Sequence, residues 1–116
     1  MRIAIIGSRG FNDEALFLQT VQGLEFQISE IISGGAKGAD TLAANWATEN
    51  NIPLTVYKPD WKKYGRSAGI VRNKLIIDDC EYCLVFWDTQ SYGTKFSIDY
   101  CYKQGKPIRV VEIPLG

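Results

Sequence analysis

The chain has 116 residues, 46% of them hydrophobic and 22% charged, and its 13 basic side chains balance 13 acidic ones. That length suits one globular domain spanning residues 1–116 and excludes two. The neutral balance lacks the basic excess with which a general nucleic-acid binder neutralises phosphates, so nucleic acid is not the expected partner.

Met1-Arg2-Ile3-Ala4-Ile5-Ile6 resembles the start of a secretory signal, but Gly7-Ser8-Arg9-Gly10 breaks it at once. Ile3 to Ile6 reads instead as a strand covered on both faces. No apolar run approaches the roughly 20 residues that cross a bilayer. With no targeting segment, a cytoplasmic location is expected and a membrane is not.

Asn12, with Asp13 and Glu14 behind it, opens a helix by capping and by negative charge at its positive end. Phe17, Val21 and Leu24 follow at helical spacing. Ile31 and Ile32 mark a second strand. Ala39, Leu42, Ala43, Trp46 and Ala47 then share one helix face. Leu54 to Tyr57 is a third strand, and Lys58 to Gly65 reads as irregular. Beyond it come a helix from about Ala68 to Asp78, a strand from Tyr82 to Trp87, a helix from Thr94 to Gln104 and a strand from Ile108 to Ile113. This alternation predicts a single Rossmann-like α/β domain: a parallel five-stranded sheet with helices on both faces.

The chain holds three cysteines and no histidine. Cys80 and Cys83 have C-x-x-C spacing, but no second pair or histidine completes a zinc set, and Cys101 makes the count odd. Buried or half-buried thiols are expected, with no metal and no cofactor. Without histidine the usual general base and the Ser-His and Cys-His pairs are missing. Catalysis would rest on carboxylates, Lys, Arg, Tyr or water.

In a parallel sheet of this kind ligands bind beyond the carboxyl ends of the strands, where strand order reverses. Three loops on that edge are rich in Gly and Ser: Gly7-Ser8-Arg9-Gly10-Phe11, Ser33-Gly34-Gly35-Ala36-Lys37-Gly38-Ala39-Asp40 and Asp88-Thr89-Gln90-Ser91-Tyr92-Gly93-Thr94. Each leads into a helix, whose free amides and positive dipole end favour phosphate. Ser8, Ser33, Ser91 and Thr94 add hydroxyls; Arg9 and Lys37 add charge. None of the loops is a dinucleotide G-x-G-x-x-G or a Walker P-loop, so neither chemistry follows. Asp40 lies in the first turn of its helix, where it could bind ribose hydroxyls or cap the helix. Trp61 and Tyr64 could stack a base or cover the core. Arg66 and Arg72 could fork onto phosphate, though Arg72 could also pair with a nearby carboxylate. Asn73 could read a polar edge.

Together these blocks resemble the SLOG superfamily, and within it the small stand-alone YspA-type domains. The likeness is carried by Gly7-Ser8-Arg9 with Phe11, by Gly34 to Asp40 with Leu42-Ala43 and Trp46-Ala47, by Asp60-Trp61, Tyr64-Gly65, Ala68-Gly69 and Arg72-Asn73, and by Gly93-Thr94. The resemblance implies a Rossmannoid fold that binds nucleotides or molecules derived from them, in NAD and ADP-ribose sensing and in phage–host conflict. Relatives include the DNA-processing protein A domain and the Lonely guy phosphoribohydrolases. The latter cleave the N-glycosidic bond with an Arg and a Glu, the Glu lying three residues after the Thr of a P-G-G-x-G-T loop. Here Thr89, Gln90 and Ser91 replace Pro-Gly-Gly and Ser97 stands at the Glu position, while Arg72 matches the Arg. Asp99 would point about 200° round the helix from that Glu.

The leading expectation is therefore a module that senses, carries or sequesters a nucleotide or nucleotide-derived phosphate such as an ADP-ribose derivative. Its ligand-binding candidates are Gly7, Ser8, Arg9, Gly34, Gly35, Ala36, Lys37, Asp40, Trp61, Arg72, Asn73, Ser91, Gly93 and Thr94. The alternative is an N-glycosidic-bond hydrolase with Asp40 and Arg72 as catalytic candidates; a DNA-binding role, by analogy with the DNA-processing relative, is the third. Small Rossmann-like domains often complete a pocket across a two-fold axis, so a homodimer is expected.

Overall fold

The protein is a computed structural model that describes residues 1–114. Strand β1 (Arg2–Gly7) buries Ile3, Ala4, Ile5 and Ile6 because it runs through the middle of the sheet, with helices on either side. After it come α1 (Glu14–Gln22), β2 (Glu30–Ser33), α2 (Ala39–Glu49), β3 (Leu54–Val56), α3 (Trp61–Tyr64), α4 (Ala68–Asp79), β4 (Tyr82–Trp87), α5 (Tyr92–Lys103) and β5 (Ile108–Glu112). The strands are parallel, in the order β3-β2-β1-β4-β5. Ile3 thus lies opposite Ile31 on one side and Tyr82 on the other. From β1 the chain steps outward to β2 and β3, then returns across the sheet to β4. The order reverses between β1 and β4, and there the loops leaving two neighbouring strands diverge and open a crevice.

Each sheet face has its own core. Phe17 and Val21 of α1 and Ala39, Ala43 and Ala47 of α2 cover Ile3, Ile5, Ile31, Leu84 and Phe86. Phe11 stacks on Phe86 with ring centroids 4.6 Å apart, closing this core beneath the first loop. On the other face Ile76 and Ile77 of α4 and Ile98 and Cys101 of α5 cover Ala4, Ile6, Ile32, Cys83 and Val85. The three cysteines are buried, unbridged thiols here, Cys83 Sγ lying 2.8 Å from Cys101 Sγ and 3.5 Å from Cys80 Sγ. Hydrogen bonding to Cys101, with burial, pushes the Cys83 thiol up to about 12. At the opposite edge Arg2 bridges Glu30 at 3.1 Å and Asp79 at 2.9 Å, tying α4 to β1 and β2.

Local departures from the sequence expectations have simple causes. Asp13, not Asn12, caps α1, its carboxylate accepting the Leu16 amide at 3.0 Å. The helix stops at Gly23, so Leu24 packs on the core from beyond its end. The stretch read as irregular contains α3, followed by a 3-10 turn over Gly65–Ser67. Asp60 nucleates it by accepting the Lys63 amide at 3.1 Å, and four residues are too few to show a period. Helix α5 begins at Tyr92, ahead of Thr94, which puts Gly93 inside its first turn. Among the described residues no helix is long and apolar enough to cross a membrane.

Candidate functional site

Two glycines bring the loops together. Gly7 ends β1 where a Cβ would lie 2.5 Å from the Ala39 Cβ and 2.9 Å from the Phe86 carbonyl oxygen. Gly38, at φ +82, precedes α2, and a Cβ there would collide with the carbonyl oxygens of Ser8 and Arg9. Only bare backbone at both positions lets α2 start against the β1 loop.

Ser8 is buried and joins this loop to the one after β4. Its Oγ accepts the Asp88 amide at 3.2 Å and lies 3.1 Å from the Ser91 Oγ. Asp88 in turn accepts from the amides of Gln90 at 2.9 Å and Ser91 at 2.7 Å, and from the Ser91 hydroxyl at 2.9 Å. The Gln90 and Ser91 amides hold the Asp88 carboxyl below its ordinary range. The single hydroxyl hydrogen of Ser91 goes to the carboxylate, so Ser8 donates to Ser91. Both hydroxyls, expected from the sequence as donors to a ligand, thus bridge the loops. The amides of Tyr92, Gly93 and Thr94 have no acceptor among the described residues; the first turn of α5 closes only with Lys95 donating to the Ser91 carbonyl at 3.1 Å.

On the β2 side, the guanidinium of Arg72 lies against Gly34, where a Cβ would come within 2.6 Å of Nη1. Nη1 donates to the Gly34 carbonyl at 2.7 Å and Nε to Asn73 Oδ1 at 2.9 Å. Asp40 is buried and accepts the Ala36 amide at 3.0 Å. It therefore pins the glycine loop, while Gly38 occupies the N-cap of α2 with no side-chain cap bond. Burial raises the Asp40 pKa, and the Ala36 amide and the charge of Arg72 oppose the rise. Burial lowers the Arg72 pKa, and Arg9 adds to that lowering. Arg9 itself is exposed and has no ion-pair or hydrogen-bond partner among the described residues.

These groups face one cleft of about 730 Å³ at the carboxyl edge of β1 and β4. From one side it is lined by Gly7, Ser8, Arg9, Gly34, Ala36 and Asp40. Trp61, Arg72 and Asn73 reach it from α3 and α4, and Ser91, Gly93 and Thr94 from the start of α5. Gly35 and Lys37 lie off the lining: Gly35 packs towards Val56 of β3, and Lys37 is exposed. Trp61, 58% exposed, does not cover the core, and neither does Tyr64, which is off the lining. Arg66 also faces the cleft. The sequence reading did not single out Ile70, Ile76, Tyr92 or Ile113, which also line it. A signal existed for part of this wall: Gly69, Asn73 and Ile76 fall at i, i+4 and i+7 on α4. Ser97 is fully buried, donating to the Gly93 carbonyl at 3.1 Å, and Asp99 is exposed and paired with Lys95 at 3.2 Å.

The family model described as YAcAr, the YspA, cpYpsA-related SLOG family, matches residues 1–64, more than half of the chain and both glycine loops of its first half. The chain belongs to this family. It is 29% identical over 117 residues to the Gene 61 protein of Mycobacterium phage D29, covering 92% of this chain and 93% of the phage protein. In fold this SLOG chain is similar to DNA processing protein A (DprA) of Streptococcus pneumoniae, with a TM-score of 0.80 at 18% identity. That match covers 98% of this chain and 51% of DprA, so the chain spans about half the length of that protein.

Proposed function

We propose that the cleft binds a nucleotide or nucleotide-derived phosphate, such as an ADP-ribose derivative, and that the protein senses, carries or sequesters it. One observation carries this reading: the unpartnered amides of Tyr92, Gly93 and Thr94 open beside the cleft that Arg9, Arg66 and Arg72 also face. A helix start with free amides and converging guanidinium groups is a phosphoryl site in chemical terms. The cleft volume of about 730 Å³ falls in the range of small-molecule sites. A melting-temperature screen against nucleoside mono- and diphosphates, NAD and ADP-ribose tests it, because a ligand of the native state raises stability by mass action. At least one compound should raise the melting temperature, and an Arg9→Ala, Arg72→Ala double variant should lose the rise. Retention of the full rise in that variant would place the site elsewhere.

A second reading, N-glycosidic hydrolysis, is supported by Asp40, a buried carboxyl of raised pKa on the lining beside Arg72. Asp88, the other lining carboxylate, is held by its own loop. Incubating the same compounds with the protein and separating them by chromatography distinguishes the readings. Unchanged recovery alongside measurable binding rejects the enzyme. Single-stranded DNA belongs in the panel, since DprA is a DNA processing protein; salt-sensitive retention of DNA would favour that ligand instead. A homodimer is proposed as well, and light scattering at several concentrations tests it.

A further inference from the structure

Three glycines on the cleft have no internal reason to be glycine. A Cβ at Gly10, Gly69 or Gly93 would meet nothing within 4 Å, and none of the three has positive φ. They contrast with Gly7 and Gly38, where neighbouring backbone excludes a side chain, and with Gly34, where a side chain would displace the Arg72 guanidinium. Gly93 belongs to the anion end of the cleft. Gly69 is the second residue of α4, where alanine would serve the helix better. The bare backbone there leaves open space on a concave wall rather than satisfying a turn.

Apolar and aromatic side chains share the cleft with that space. Ile70 lines the cleft beside Gly69, Trp61 approaches from α3 at 58% exposure, and Tyr92 borders the cleft from α5 at 75% exposure. Large aromatic side chains left exposed at a cleft mark a surface made for a partner. Asn73 supplies a polar reader whose orientation is decided by its neighbour. A guanidinium only donates, so the bond from Arg72 Nε requires the carboxamide oxygen to face Arg72. The NH2 of Asn73 has no acceptor among the described residues, so its two donors remain available to a ligand in the cleft.

We infer that Gly69, Ile70 and Trp61 form a shelf for a planar heterocycle, and that Asn73 selects a ring bearing an acceptor atom, a ring nitrogen or a carbonyl oxygen, on the edge it meets. This rests on the nucleotide reading above: the phosphoryl group sits at the start of α5 and the ring lies over α4.

Titration calorimetry of adenosine 5′-monophosphate, uridine 5′-monophosphate and ribose 5-phosphate separates the two parts. The natural protein binds at least one nucleotide about tenfold or more tighter than ribose 5-phosphate, in line with the contribution of one stacked base. Gly69→Val fills the shelf. It weakens that nucleotide by about tenfold or more and leaves ribose 5-phosphate within about twofold. Asn73→Ala lowers the nucleotide preference in the same direction. Gly69→Ala melts at or above the natural protein, since alanine is the better helix former, and gives the same ordering of ligands with a smaller loss. Equal affinity of the natural protein for nucleotides and ribose 5-phosphate overturns the shelf and leaves the anion site standing. So does a Gly69→Val variant that weakens every ligand alike or none. Failure to bind any of the three overturns the shelf, and failure of NAD and ADP-ribose as well overturns the nucleotide reading.

Discussion

In the Arg9→Ala variant two effects of different sign should separate. Arg9 lies on the cleft, exposed and unpartnered among the described residues, and its charge acts on Arg72 as a like charge. Removing it takes away repulsion and no bond, so without ligand the melting temperature should stay level or rise slightly. Exposed charge interactions are worth less than about 1 kcal/mol. With a phosphate ligand the sign reverses. At a concentration one hundred times Kd, the natural protein gains about 2.7 kcal/mol. A hydrogen bond to a charged group contributes about 1.5–3 kcal/mol, so its loss weakens binding by about 13- to 160-fold. At the same ligand concentration about 0.3–1.3 kcal/mol of stabilisation then remains. Thermal melts of both proteins, with and without nucleotide at one ionic strength, measure all four states. A variant that melts lower alone yet keeps the full ligand shift would refute the reasoning, because Arg9 would then be holding the loop and not the ligand.

Gly38→Ala should cost more than about 2 kcal/mol, since a side chain at this positive φ also meets the carbonyl oxygens of Ser8 and Arg9; the shift in urea midpoint measures it, and a negligible shift would contradict the close approach of α2. Asp88 has a lowered pKa in the folded state, so its contribution is present above the ordinary value of 3.8 and lost as pH falls through the lower folded value. Melts of the natural protein and Asp88→Asn should therefore differ most near neutrality and converge in acid. Asp40 has the opposite sign: its folded pKa is raised, so its ionisation erodes stability as pH rises from 3.8 through the folded value. Across that window the difference between Asp40→Asn and the natural protein should move in favour of the variant. The buried thiols Cys80, Cys83 and Cys101 should resist a thiol reagent in the native protein near pH 8 and react in denaturant, because hydrogen bonding to Cys83 suppresses the thiolate at Cys80, hydrogen bonding to Cys101 suppresses it at Cys83, and burial adds to both.

Much of the architecture was legible because it rests on local pattern. The unbroken apolar run from Ile3 to Ile6 and the small-residue face of Ala39, Ala43 and Ala47 belong to strands and helices that cover one another, and each carries the period of its own element. Segments shorter than a period were not legible: α3 has four residues and announces itself only through Asp60. The cleft was partly readable, since glycine-rich loops after β1, β2 and β4 must meet on one edge of a parallel sheet.

Which way each loop residue turns was not written in the chain. Arg9 and Lys37 are both basic residues in glycine loops, yet Arg9 enters the cleft and Lys37 does not. Ser8 and Ser91 have the composition of ligand donors, and Asp88 draws their hydroxyls into a bridge between loops. The sequence by itself determined the alternation of elements, the sheet class and the edge on which polar backbone would gather, because these follow from periodicity and turn chemistry within a few residues. Only the tertiary structure decided that Arg72 folds under Gly34 and fixes the amide of Asn73, and that Gly69 and Trp61 line one cleft. The Arg72–Gly34 bond joins residues 38 apart in the chain, and it sets the side chain of Arg72 that Asn73 meets; the placing of Gly69 and Trp61 depends on how α3 and α4 pack, which no local period records.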